Sequence, residues 1–348
     1  MRILVTGGCG FIGSHVVRQA LQVPNVERVI NLDALTYSGH PQNCIDIEDS
    51  RYKFIHGSIN DESLLKEIFH SEQISVVLHL AAESHVDRSI NSVKPFVETN
   101  IEGTRSILES ILEFKKLGQE INLIHVSTDE VYGSLGPKDK AFTEQTPLNP
   151  RNPYAATKAS SDMLVQAFVN THEISAAITR CSNNYGPNQF PEKLIPLMTI
   201  NAINGDNLPI YGDGKQVRDW IHVVDHANGI ICCMLGLIMG RVPSGDVINF
   251  GASNEVENIQ IVKKIIQLTN ASESQIEFVK DRPGHDRRYA MGFAKAKEIL
   301  GWYPEIEWDE GLKSTVEWYK ENSDWLESIT SGEYRDWIKN QYGNQNKN

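Results

Sequence analysis

Ser127-Thr128-Asp129-Glu130 closes the apolar run 121–126, and Val131-Tyr132-Gly133 follows. A hydroxyl and two adjacent carboxylates at the end of a buried run can do acid–base chemistry, because unequal surroundings leave one carboxyl protonated and the other ionised. A second pair stands in Tyr154-Ala155-Ala156-Thr157-Lys158. Residues four apart share one face of a helix, so this phenol and this ammonium point the same way. A neighbouring cation stabilises phenolate and is expected to lower the Tyr154 pKa towards that of a general base working near neutral pH. Taken alone, the carboxylates also suit a solvated loop, and the Tyr/Lys pair a half-buried phenol beside a solvated amine. The elements around them decide.

The chain opens with an apolar strand at 3–5, then the turn Gly7-Gly8-Cys9-Gly10-Phe11-Ile12-Gly13, then a helical pattern through Leu21. The spacing Gly7-x-x-Gly10-x-x-Gly13 lets backbone approach a pyrophosphate, whose charge meets the N–H groups of the helix start. A second strand, 29–33, ends in Asp33, about 20 residues beyond the last glycine. An acid there holds the adenosine ribose hydroxyls and repels a 2′-phosphate, so NAD rather than NADP is the expected cofactor. Further strands are expected at 52–55, 75–80, 121–126 and 174–179. Helices are expected at 61–69 with Asp61 as cap, over about 93–116, and from Tyr154 to Phe168, where Pro150 and Pro153 suit the entry. This alternation makes the fold α/β, a Rossmann-type doubly wound parallel sheet. It also puts Thr128, Asp129 and Glu130 in the crevice at the strand ends, where such sheets bind ligands. The small residues Ala81, Ala82 and Ser84, after the fourth strand, would let a cofactor lie against the backbone.

Past residue 182 the alternation becomes irregular. Residues 183–187 read as a turn, 190–194 as the opening of another helix, and 230–239 as a core helix too short to span a bilayer. Residues 1–182 are expected to form the NAD-binding domain with the Tyr/Lys helix. Residues 183–330 would form mainly a smaller mixed α/β substrate lobe, with room for excursions back to the sheet, and 331–348 a polar tail. A length of 348 residues suits that division. The net charge of −12 argues against nucleic acid or an anionic membrane as main partner. Lys193, Arg218, Arg282, Arg287 and Arg288 sit beside turns and would meet an anionic small ligand, the arginine fork being the better phosphate reader. The five cysteines are scattered without metal-ligand spacing, so free thiols, no metal and a reducing cytoplasm are expected. The start carries no signal-peptide pattern.

These motifs resemble the extended short-chain dehydrogenase/reductases, and among them the dTDP-glucose 4,6-dehydratase family. The likeness is carried by Gly-Gly-Cys-Gly-Phe-Ile-Gly-Ser at 7–14, Ala-Ala-Glu-Ser-His-Val-Asp-Arg-Ser at 81–89 and Ser-Thr-Asp-Glu-Val-Tyr-Gly at 127–133. Asn-Asn-Tyr-Gly-Pro at 183–187, Pro-Glu-Lys-Leu-Ile-Pro at 191–196 and Arg-Pro-Gly-His-Asp-Arg-Arg-Tyr at 282–289 extend it, in the family's order, from about residue 1 to 325. The Thr-Asp-Glu triplet discriminates, since epimerases and decarboxylases of the same fold carry other residues there.

The resemblance implies a reaction on a nucleotide-diphosphate sugar with NAD recycled. Tyr154, helped by Lys158 and Thr128, would take the proton of the sugar 4-hydroxyl, Glu130 the C5 proton, and Asp129 would protonate the departing 6-hydroxyl. Asp129 is therefore expected to keep its proton near neutral pH, through burial beside Glu130. The same likeness puts Gly7, Gly10, Phe11, Ile12, Gly13, Asp33, Ala34, Leu35, Thr36, Ser58, Ile59, Leu80, Ala81, Ala82, Ser84, Thr99 and Asn184, with Tyr154 and Lys158, around NAD. Around the nucleotide sugar it puts Ser84, Thr128, Asn183, Glu192, Lys193, Leu194, Pro209, Ile210, Tyr211, Arg218, Asn258, Asp281, Arg282, Pro283, Gly284 and His285, with Arg218 at the diphosphate. It implies a homodimer through the helices at about 93–116 and 153–171, and favours dTDP-glucose while leaving UDP- and CDP-glucose open. Two residues depart from the family pattern: Ser58 where an aspartate is usual, and Cys9 where an alanine is usual. A 4-epimerase, a UDP-glucuronate decarboxylase and a non-catalytic NAD-binding protein are the competing readings.

Overall fold

The computed structural model describes residues 1–281 and 284–330. Its strands are β1 Arg2–Thr6, β2 Arg28–Asp33, β3 Tyr52–His56, β4 Val76–His79, β5 Asn122–Thr128, β6 Ser175–Cys181, β7 Asn183–Tyr185, β8 Leu208–Tyr211, β9 Val217–His222, β10 Val247–Phe250, β11 Glu255–Glu257 and β12 Ile276–Val279. Seven of them form one parallel sheet in the order β10-β6-β5-β4-β1-β2-β3. Its inner strands are buried on both faces and largely apolar, as in the wholly buried Ile3-Leu4-Val5, because a parallel sheet is covered on both sides. One face packs on the helices Phe11–Gln22 and Val223–Ile238, the other on Glu62–Ser71, Gly103–Lys116 and Pro153–His172. The order reverses between β1 and β4, so the ligand crevice of such a sheet opens at the carboxyl ends of these two strands.

A smaller lobe carries the three-stranded sheet β11-β9-β7 and the pair β12-β8. Its core is built on the helices Leu194–Asn204, Asn258–Thr269 and Trp308–Glu321, with Tyr185 and Trp220 buried among them. The chain returns from this lobe to the large sheet twice: the helix Val223–Ile238 leads into β10, which pairs at the sheet edge in register Val247↔Ile178, and the later helix Ala294–Leu300 packs Ala296 on the same core.

Three expectations need correction. Residues 183–187 are not only a turn: Asn183–Tyr185 is a strand, paired in parallel with Trp220–His222, and that tertiary ladder overrides the local turn formers. The next helix starts at Leu194, with Lys193 as its N-cap. The helix expected over 93–116 begins at Lys94 but widens into a π turn at Val97–Glu102 before Gly103–Lys116. An inserted π turn rotates side chains that a regular helix would not aim at a site. Here Asn100 receives Glu83 N–H at 2.9 Å and donates to Thr157 Oγ1 at 3.0 Å, tying the crevice wall to the Tyr154 helix. Among the described residues no helix is long and apolar enough to cross a membrane, and all five cysteines are free thiols.

Candidate active site

At the end of β1, Gly7 takes a positive φ of 72° and its N–H reaches Leu32 O at 2.9 Å. A Cβ on Gly7 would stand 2.8 Å from Ala81 Cα, and one on Gly13 only 2.0 Å from the Gly7 carbonyl oxygen. The turn is thus a cradle that any side chain would fill. It leads into the helix Phe11–Gln22, whose N-cap Gly10 supplies no capping side chain. The free N–H groups there suit a phosphate anion. The buried Asp33 accepts Cys9 N–H and Leu35 N–H, each at 2.8 Å. Burial pushes its pKa up, and these two hydrogen bonds pull it back. A carboxylate so held retains lone pairs for further donors. These features fit a dinucleotide.

The cavity beside the turn measures about 340 Å³. Gly7, Gly10, Phe11, Ile12, Gly13, Asp33, Ala34, Thr36, Ser58, Ile59, Leu80, Ala81, Ala82, Ser84, Thr99, Tyr154, Lys158 and Asn184 line it. Leu35 does not: it is turned into the left-handed region, at φ 52°, and serves through its backbone N–H. Cys9 also stays out of the cavity, its sulfur facing Asn31 Nδ2 at 3.3 Å. Gln189 and Phe190 line the wall without having been expected there. Gly13→Ala is expected to abolish cofactor retention, measured as nicotinamide nucleotide released from the denatured pure protein, with parent-like retention counting against the cradle.

β5 delivers Thr128, Asp129 and Glu130 to the same cavity. Asp129 is 3 % exposed, and its pKa is raised well above the usual carboxylate range, first by burial and then by Glu130. That is the direction expected of a proton donor. The Thr128 hydroxyl donates to Asp129 Oδ1 at 3.2 Å and accepts Glu130 N–H at 3.3 Å. Asn152 Nδ2 donates to Glu130 Oε2 at 2.8 Å. On the next helix Tyr154 and Lys158 are both buried, and Lys158 Nζ donates to Val126 O at 2.8 Å. Here the expected electrostatics is corrected. The Tyr154 pKa is raised, not lowered, because burial and then Glu130 outweigh the Thr128 hydroxyl that opposes them. Burial likewise brings Lys158 down to about 8.

A second cavity of about 160 Å³ adjoins the first. Glu130, Asn183, Asn184, Gln189, Glu192 and Lys193 line both. Leu194, Pro209, Ile210, Tyr211, Arg218, Asn258 and His285 line the second from the smaller lobe, and His85 and Asp87 line it from the opposite side, while Ser84 and Thr128 face only the first. Arg218 is buried over the Tyr289 ring, 4.3 Å from its centroid, and donates to Val217 O and Asp286 O. Lys193 Nζ reaches Ser84 O at 3.1 Å. Glu192 lies 3.4 Å from Arg88 and 3.7 Å from His85, and burial pushes it up to about 7. Asp281 and Gly284 fall outside both linings. Asp281 instead holds His285 Nδ1 at 2.6 Å. Arg282 and Pro283, like the tail 331–348, lie outside the described residues. Arg287 and Arg288 also depart from expectation: Arg287 pairs with Asp213 at the surface, and the half-buried Arg288 pairs with Glu255.

Sequence reading missed Asn152, Asn100, Gln189, His85 and Asp87, the last receiving Tyr211 Oη at 3.3 Å. Asn152 alone carried a local signal, an Asn before a Pro-initiated helix.

A family model described as GDP-mannose 4,6 dehydratase matches residues 4–315. The dTDP-glucose 4,6-dehydratase of Shigella flexneri is 45% identical over 98% of this chain and 99% of its own length. The chain belongs to the dTDP-glucose 4,6-dehydratase family. The solved dTDP-glucose 4,6-dehydratase of Streptomyces venezuelae, with NAD bound, superposes with a TM-score of 0.89 at 43% identity, covering 94% of this chain and 100% of that one. The family's enzyme from Bacillus anthracis, in complex with NAD, gives 0.85 at 45% identity, covering 94% and 99%.

Proposed function

We propose that this enzyme converts dTDP-glucose to dTDP-4-keto-6-deoxyglucose with NAD resident and recycled. The observation that supports this best is the triplet Thr128-Asp129-Glu130, which offers two adjacent carboxyls in unequal environments beside a buried phenol. Oxidation alone needs one base. Elimination of water across C5 and C6 needs a proton acceptor and a proton donor together.

Tyr154 accepts the proton of the 4-hydroxyl, with Thr128 and Lys158 stabilising the phenolate. The nicotinamide, when bound, supplies the hydride acceptor at C4 and the hydride donor at C6. Once C4 is a ketone the C5 proton is acidic; Glu130 removes it, and in its acid form returns a proton to C5 when hydride reaches C6. Asp129 gives its proton to the 6-hydroxyl, which leaves as water. Glu130 lines both cavities, as a base must if it reaches a sugar lying between cofactor and nucleotide. Arg218 and Lys193 face the anionic diphosphate, and Asn258, Pro209, Ile210 and Tyr211 enclose the nucleotide end.

Incubating the pure protein with dTDP-glucose and no added NAD is expected to yield the 4-keto-6-deoxy sugar, identified by mass and NMR. A galacto sugar would replace this reading by a 4-epimerase, and carbon dioxide released from UDP-glucuronate, supplied in a parallel incubation, by a decarboxylase. UDP- and CDP-glucose run in parallel test the nucleotide. The proposal extends to a cytoplasmic homodimer, supported by free thiols and by the exposed apolar Val93, Val97 and Met163 on or beside the two helices named for it. Sedimentation at the mass of one chain would count against the dimer.

A further inference from the structure

We infer that Asn152 is a positioning residue for the carbon-acid step, a clamp that fixes Glu130 to the start of the helix carrying Tyr154 and Lys158. The inference rests on the reaction proposed above. Asn152 is the N-cap of the helix Pro153–His172, extended at φ −136° and ψ 163°. Its Oδ1 accepts Ala155 N–H at 2.8 Å, and its Nδ2 donates to Glu130 Oε2 at 2.8 Å. The two partners fix the amide's orientation. Reversed, it would set an oxygen against a carboxylate and an N–H against an N–H.

Two consequences follow. The amide occupies one carboxylate oxygen of Glu130, so the other is the one free to meet a C5 proton. The base for C5 and the base for the 4-hydroxyl are also held by a single element, since Asn152 is adjacent to the helix that presents Tyr154. Without the clamp, Glu130 stands on the short 3-10 turn Asp129–Tyr132, held from Thr128 by a long 3.3 Å contact to its backbone rather than its carboxylate. A reacting group displaced by about 1 Å loses on the order of 10²-fold in rate.

The test uses the full-length enzyme and two variants that keep the helix cap while removing the amide donor. Asn152→Ser retains a capping hydroxyl. Asn152→Asp retains a capping carboxylate and turns it against Glu130. Expected in both are a parent-like Tm, parent-like cofactor content and a KM for dTDP-glucose within about 2-fold. Deuterium uptake at C5 from D₂O should fall about 10- to 100-fold, more in Asn152→Asp, with the first hydride transfer from C4 still seen as reduced nicotinamide in a single turnover. Variants that exchange C5 at the parent's rate overturn the inference. So do variants in which C4 oxidation and C5 exchange fall equally, since that assigns Asn152 to the helix start alone. A parent that makes no 4-keto-6-deoxy sugar overturns the reaction itself, and this inference with it.

Discussion

Asp129→Asn is expected to cut turnover by about 10²- to 10⁴-fold, the usual worth of a positioned general acid, while deuterium uptake at C5 continues. The amide has the shape of the carboxyl and no proton to give at the 6-hydroxyl. Glu130 and Tyr154 are untouched, so C4 is still oxidised and the C5 proton still exchanges. Product analysis with exchange measured alongside separates the two steps, and C6–O cleavage at the parent's rate would remove Asp129 from the proton-donor role. The pH dependence has a definite sign. The acid works only while protonated, so turnover in the parent falls as pH rises through the elevated Asp129 pKa, and that limb is missing from the variant. Stability moves the other way. Below the ordinary carboxylate pKa of about 4, Asp129 is protonated both folded and unfolded, and pH has no leverage through it. Above that value the unfolded chain ionises while the folded protein, which buries Asp129 beside Glu130, resists. The amide of the variant does not ionise and escapes this penalty, so the Tm difference between variant and parent should grow in the variant's favour from about pH 4 upward. Activity lost with stability gained is the mark of a group placed for chemistry rather than for folding.

What the sequence made legible was whatever local chemistry encodes. Gly7, Gly10 and Gly13 announce a tight turn by their spacing: a Cβ on Gly13 would strike the Gly7 carbonyl within the same turn, although the backbone that excludes one on Gly7 is that of Ala81, far along the chain. Asp33 announces itself by its distance from that turn. Tyr154 and Lys158 reveal a shared face by spacing alone. What stayed hidden depends on partners far along the chain. The π turn at Val97–Glu102 belongs with the tie from Asn100 to Glu83 and Thr157, β7 exists because Trp220–His222 lies alongside it, and His85 matters through Glu192. The phenol's electrostatics was hidden for a different reason: a sequence pattern shows that a cation is near, but not how much water the fold removes.

That balance sets up the sharpest contrast with Asp129. Tyr154→Phe is expected to lose about 10²- to 10⁴-fold in C4 oxidation, and to lose C5 exchange with it, because the C5 proton is acidic only beside a C4 ketone. The phenol starts from an unfavourable position, pushed up by burial and by the Glu130 carboxylate. It can act as a base only if positive charge is brought to bear on its ionised form. Lys158 is the buried cation four residues away, and its own burial confines the charged state to pH below about 8. Removing that cation in Lys158→Met should move the base-dependent limb of the pH–rate profile to higher pH, as loss of a stabilising neighbour requires. The phenylalanine variant should show no such limb. NMR of glucose protons in D₂O decides the matter: a Tyr154→Phe protein that still labels C5 at the parent's rate would show that oxidation proceeds without the phenol, and the proton relay built on this helix would have to begin at another residue.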